Sequence, residues 1–139
     1  MQVQARPQAA QRPFQTLETA VPHIECALIP VPKGDKERFS ATNARVAQIF
    51  LANGAVRILD FWGVDLPDGV VTDFKKAVKA NDDETVVVSL IIWPDKATCD
   101  EGNAKLMADP NMPAPSEMPF DLKRMFFGGF EPLLDTDQG

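Results

Sequence analysis

His23 and Glu25 stand two residues apart in His23–Pro30 (HIECALIP), a spacing that puts both side chains on one face of an extended strand. On that face the imidazole could act as a base and the carboxylate as the group that orients it. The competing reading is that the first residue of a strand is simply exposed, and we favour it. Asp60 sits inside the apolar run Val56–Val64 (VRILDFWGV). An unpaired carboxylate is costly to bury there, so it pairs with Arg57 or Arg124, faces a cavity or sits on a wet edge. A structural ion pair is the expected arrangement.

Asp121, Lys123 and Arg124 cluster in Met118–Met125 (MPFDLKRM). An arginine fork grips carboxylates in pairs of hydrogen bonds, so this cluster could clamp an anionic ligand. A salt-bridged start to the last strand is the simpler expectation. Cys99, with Asp100 and Glu101 beside it, should be a poor thiolate and inert. Ser89 lacks the flanking glycines of a nucleophile elbow, which argues against a hydrolase. The acidic run from Asn81 to Glu84 lacks the alternating ligands and glycine of a calcium loop, so no metal is expected. No cofactor motif is present either: Gly128-Gly129 does not feed a helix as a phosphate loop does.

These groups must be positioned by a small set of elements. His23–Pro30 reads as a first strand, closed by Pro30-Val31-Pro32. Asp35 is the expected cap of a helix that carries Phe39, Val46, Ile49 and Phe50 at helical spacing, with Gly54 just past its end. Val56–Val64 is the second strand, and Asp73–Ala80 is ambiguous between a helical turn and an edge strand. Thr85–Trp93 (TVVVSLIIW) is the third and strongest strand. Asp95 caps a second helix running to about Met107, which Asp109-Pro110 ends. Asn111–Pro119 should be a loop. Lys123–Leu134 makes a fourth strand, with a bulge or close backbone approach at Gly128-Gly129. The order is β-α-β-β-α-β, an α+β ferredoxin-like unit with a four-stranded antiparallel sheet and two helices on one face.

Two helices leave the second face of such a sheet bare, yet the third strand is apolar on both sides. Val86, Val88, Leu90 and Ile92 point one way, while Val87, Ile91 and Trp93 point the other. Leaving that many large side chains in water forfeits ~1.5–3 kcal/mol each, so a second copy packed sheet on sheet is expected. The all-apolar side of the first strand, Ile24, Cys26 and Leu28, should then lie beneath the helices. The mixed sides should look into a space between the subunits. His23, Glu25, Asp60, Trp62, Ser89 and Trp93 would line that cavity, a site for a small molecule.

The chain has 139 residues, enough for one core without disulfides or structural metal. Met1–Pro22 reads as a flexible extension, or as an arm that packs Phe14 and Leu17 on a neighbour; 23–135 is the folded domain and 136–139 a short tail. A net charge of −6 without a basic stripe argues against a nucleic-acid partner. No apolar run is long enough to span a membrane. Two cysteines without ligand spacing suit a reducing, cytoplasmic setting.

Several short blocks carry a family resemblance. They include Pro30-Val31-Pro32-Lys33, Asn53-Gly54-Ala55, Thr72-Asp73-Phe74 after Asp68-Gly69, Asp83-Glu84-Thr85-Val86-Val87, Met107-Ala108-Asp109-Pro110 and MPFDLKRM followed by Gly128-Gly129-Phe130-Glu131. In this order they resemble the YbaA-like bacterial family of unknown function (DUF1428). The sequence departs from that pattern at Cys26 and at Leu122, where glycine is usual. The resemblance implies a dimeric α/β barrel and no established reaction. The leading expectation is a small homodimeric binding or sensing protein. Its alternatives are an enzyme of the cofactor-independent monooxygenase kind, with Trp62, Trp93 and Arg124 around an aromatic substrate, and a purely structural dimer.

Overall fold

A computed structural model describes residues 21–137. The extension read for Met1–Pro22, and with it the Phe14 and Leu17 arm, lies almost wholly outside the described residues. Strands β1 (His23–Pro32), β2 (Arg57–Trp62), β3 (Glu84–Trp93) and β4 (Phe126–Phe130) form one antiparallel sheet in the order β2-β3-β1-β4. Helix α1 (Lys36–Ala52) follows β1, and α3 (Lys96–Met107) follows β3. A one-turn helix α2 (Phe74–Ala77) interrupts the β2–β3 connection. This is the ferredoxin-like order that the sequence predicts.

β1 continues through Pro30 and Pro32, where the sequence suggests a stop. Its pairing with β3 runs the full length, while β4 covers it only from Ile24 to Leu28. Lys33, at the next odd position, donates its N–H to Asp83 on the β3 side at 2.8 Å. Alternation therefore turns the nitrogens of both prolines toward the side that β4 has already left, where no donor is needed.

Local chemistry sets the other boundaries. Asp95 Oδ1 accepts the Thr98 N–H at 2.7 Å and starts α3. Asp35, expected to do the same for α1, makes no side-chain cap; a 3-10 turn over Lys33–Asp35 leads into that helix instead. Asp73 resolves the ambiguous segment as helical, because its Oδ1 accepts from Lys76 N at 2.7 Å. Gly54 has φ 112°, the left-handed conformation that ends α1 and that a side chain rarely adopts.

β4 is shorter than the predicted Lys123–Leu134, and its ladder has no bulge. Cys26 pairs with Gly128 and Glu25 with Gly129 in unbroken register. The close backbone approach expected as the alternative is not seen either: a Cβ at 129 would lie 2.6 Å from His23 Nε2, the end of a side chain. The 111–119 segment is a loop containing one 3-10 turn, Pro115–Glu117.

The helices cover the face opposite to the one expected. Ile29, Val31 and Val87 pack with Phe39 of α1, and Trp93 packs with Cys99 and Phe50 from α3 and α1. The covered floor is thus Glu25, Ala27, Ile29 and Val31 of β1, Val87, Ser89, Ile91 and Trp93 of β3, and Ile58, Asp60 and Trp62 of β2. The bare face carries Ile24, Cys26 and Leu28 with Val88, Leu90, Ile92, Leu59, Phe61, Phe126 and Phe130. Phe61, Phe126 and Phe130 are 51%, 46% and 58% exposed. The polar groups of this floor have hydrogen-bond partners, which lowers the cost of covering them: Asn43 of α1 and Ser89 for Asp60, Asn103 of α3 and Trp93 for Glu25.

Candidate functional site

α1 turns two different surfaces to the sheet. Phe39 and Val46 are buried in the core. Toward β2 the helix presents Lys36, Ser40, Asn43, Ala44 and Ala47, at spacings of three and four residues. Small and polar side chains there cannot fill the space above the strand. A cleft of about 320 Å³ remains between α1 and β2, walled by Phe39, Ile58, Trp62 and Val87 and rimmed by Phe61.

Asp60 is the carboxylate of this cleft. Its Oδ1 accepts from the Ser89 hydroxyl at 2.6 Å, and its Oδ2 accepts from Asn43 Nδ2. The ion pair expected for Asp60 does not form. Arg57 is on the opposite face of the same strand, and Arg124 is committed elsewhere. Lys36 Nζ stands 5.5 Å from the centre of the Trp62 ring. At an exposed position such a cation–π contact is worth only ~0.5–1 kcal/mol, so the ammonium is held loosely. The cleft therefore combines an oriented acceptor, an aromatic wall and a loosely held cation at its mouth.

A second cluster lies under α3. Trp93 Nε1 donates to Glu25 Oε1 at 2.9 Å, and Asn103 Nδ2 donates to Glu25 Oε2 at 3.0 Å. Asn103 also reaches Cys99 Sγ at 3.4 Å. Burial, and after it the Glu25 charge, pushes the Cys99 thiol up to about 12. Burial comes first among the causes and Glu25, which the sequence reading did not name, second; Asp100 adds to the rise as expected of it. No hydrogen bond joins His23 to Glu25 among the described residues, so the base-and-orienter pair is not assembled. The His23 ring instead lies against Gly129.

The third cluster is structural. The Arg124 fork makes two parallel bonds to Glu84, Nη1 to Oε1 at 2.7 Å and Nη2 to Oε2 at 2.8 Å. Its Nε donates to Asp121 at 2.9 Å and its Nη1 also to the Lys79 carbonyl at 2.9 Å. Those bonds hold the Glu84 and Asp121 carboxyls below their usual range. Every nitrogen of the guanidinium is committed, which leaves the clamp no free fork for a ligand. Lys123 offers its backbone N–H to Asp121 and is otherwise exposed.

Of the sequence-predicted candidates, then, Asp60, Trp62 and Ser89 meet at one cleft. Glu25 and Trp93 form a separate interior network, while Asp121 and Arg124 stand at a distant salt bridge. The space they share is between sheet and helices, not on the bare face. Sequence reasoning missed Lys36, Ser40 and Asn43. The readable signal was the run of small side chains on one stripe of α1, where a packing helix usually carries leucine or isoleucine.

Comparison with known proteins fits this architecture. Residues 22–122 match the model of a family described as a protein of unknown function, DUF1428. The chain belongs to that family. The DUF1428 chain is 44% identical over 114 residues to the uncharacterized protein YbaA of Escherichia coli K12, covering 81% of this chain and 97% of the relative. YbaA of Shigella flexneri matches to the same extent. Among solved structures, a mutant of SnoaB, a cofactor-independent oxygenase from Streptomyces nogalater, superposes with a TM-score of 0.52 at 16% identity. That match covers 83% of this chain and 97% of the other, and it shows a shared fold. No helix among the described residues is long and apolar enough to cross a membrane.

Proposed function

We propose that this DUF1428 protein is a homodimeric, cytoplasmic small-molecule-binding protein. Its binding site is the α1–β2 cleft of each subunit rather than a lumen between subunits. The observation that carries this reading is Asp60, held by Ser89 and Asn43 beside the apolar walls of the cleft and in none of the ion pairs among the described residues. A carboxylate oriented in this way is a specific acceptor for a ligand N–H or O–H, and the walls supply the apolar contact area. The dimer reading is supported by the apolar bare face, which is larger than isolated surface leucines would explain.

The test is a panel of small aromatic molecules followed by amide chemical-shift changes and thermal shift. Binding is expected to move resonances of Ala44, Asp60 and Ser89, and Ala47→Phe, which fills the cleft, should abolish it while the protein stays folded. Saturable binding that Ala47→Phe leaves intact would place the ligand elsewhere and overturn the assignment.

A second reading is oxidation of an aromatic substrate without a cofactor, favoured by the fold shared with SnoaB and by Trp62 in the cleft wall. Trp93 and Arg124, the other groups invoked for that chemistry, are engaged away from the cleft. Oxygen consumption with an anthrone-type substrate separates the readings. Turnover lost in Trp62→Ala would favour the enzyme; binding without oxygen uptake favours the binding protein.

A further inference from the structure

Resting on the binding reading, we infer that the α1–β2 cleft selects hydroxyaromatic carboxylic acids, with Lys36 as the residue that determines the preference for the acid. The two ends of the cleft differ in charge. Asp60 lies on the β2 floor and accepts one hydrogen bond at each oxygen, so each retains a lone pair for a further donor. Lys36, the first residue of α1, lines the same cleft and rests over the Trp62 ring. None of the ion pairs among the described residues includes Lys36. In a chain with 20 acidic against 14 basic residues, a lysine held on an indole rather than on a carboxylate is left available.

Between these ends the lining is Phe39, Ile58, Trp62 and Val87 with the small side chains of α1. A planar ring fits this lining and takes the place of the ammonium against Trp62. The displaced ammonium then meets an anionic substituent at the mouth, and a hydroxyl at the other end of the ring donates to Asp60. A neutral phenol keeps only the second contact.

The experiment titrates 4-hydroxybenzoate and phenol into the parent protein, Lys36→Gln, Lys36→Arg and Asp60→Asn, reading amide shifts at the cleft. The parent is expected to bind 4-hydroxybenzoate most tightly. Lys36→Gln should weaken that binding about tenfold, the size of one charge-assisted contact, and leave phenol unchanged. Lys36→Arg should retain the preference, and Asp60→Asn should weaken both phenols. Equal affinity of phenol and 4-hydroxybenzoate for the parent, or no effect of Lys36→Gln, would overturn this inference and leave the binding reading standing. If neither phenol nor 4-hydroxybenzoate moves any cleft resonance, both are overturned.

Discussion

The indole N–H of Trp93 donates to the Glu25 carboxylate at 2.9 Å, diagonally across the β1–β3 ladder, where Trp93 stands opposite His23 and Glu25 opposite Ile91. Trp93 is fully buried, so this bond is how the largest side chain of the core satisfies its polar atom. It also fixes the ring against α3. A Cβ at Gly102 would lie 2.5 Å from Trp93 Cζ3, so the helix reaches this position only because residue 102 has none.

Trp93→Phe removes the donor and leaves Glu25 Oε1 without its indole partner. Chemical denaturation should show a loss of ~1–3 kcal/mol, from the hydrogen bond to a partly buried charged acceptor and from the ring atoms removed from the core. The double variant with Glu25→Gln should lose less than the sum of the two single changes, because the residues share one bond. Additive losses would show that the bond contributes nothing of its own.

Cys99 gives the network a signature in alkali. Its folded thiol titrates at about 12, raised by burial and then by Glu25 from an ordinary 9.0. The folded state therefore holds the proton more tightly than the unfolded chain. Stability from this group is complete below the unfolded value and falls as pH rises through the window between the two. Cys99→Ser should flatten that decline in a series of denaturation curves from pH 8 to 11, about the range over which the unfolded thiol ionises. Glu25→Gln should reduce it. An unchanged slope in Cys99→Ser would assign the decline to other groups.

The Glu84–Arg124 pair acts at the opposite end of the pH scale. Glu84 is held below its ordinary range chiefly by the Arg124 hydrogen bonds, and Asp121 likewise by Arg124. A lowered folded value makes this stability present above the unfolded carboxylate range and progressively lost as pH falls through the folded one. Arg124→Met leaves the buried Glu84 without its cation and should cost roughly 3 kcal/mol near neutrality. The deficit relative to the parent should shrink in acid, where Glu84 is protonated. A pH-independent deficit would mean that Arg124 acts through packing alone.

How much of this was legible in sequence depends on which rule each residue obeys. Asp95, Asp73 and Gly54 act through neighbours three or four positions away, or through their own φ, and such signals are local. The identity of the covered face was not local. Counting apolar side chains put Ile24, Cys26 and Leu28 under the helices, whereas Glu25, Asp60 and Ser89 are there. Their partners Trp93, Asn103 and Asn43 come from positions 17 to 78 residues away, and hydrophobic periodicity carries no trace of them. The cleft went unread for a related reason. It is made by side chains that are small, and a sequence pattern registers what packs more readily than what leaves space.

That inversion sharpens the expectation for assembly. Leu90 lies at the middle of the bare face, paired across the ladder with Cys26 on one side and Leu59 on the other. In a dimer packed sheet on sheet it would be far from water, and a charge placed there would have no partner. Leu90→Asp should therefore convert a two-subunit species into single subunits at micromolar concentration in sedimentation velocity. It should leave β-sheet circular dichroism unchanged, since the substitution points away from the helix-side core. Val64→Asp is the control, because Val64 is 89% exposed in the loop after β2 and outside the ladder. A parent protein that sediments as one subunit, or a dimer that Leu90→Asp leaves intact, would show that this face is not where two copies meet.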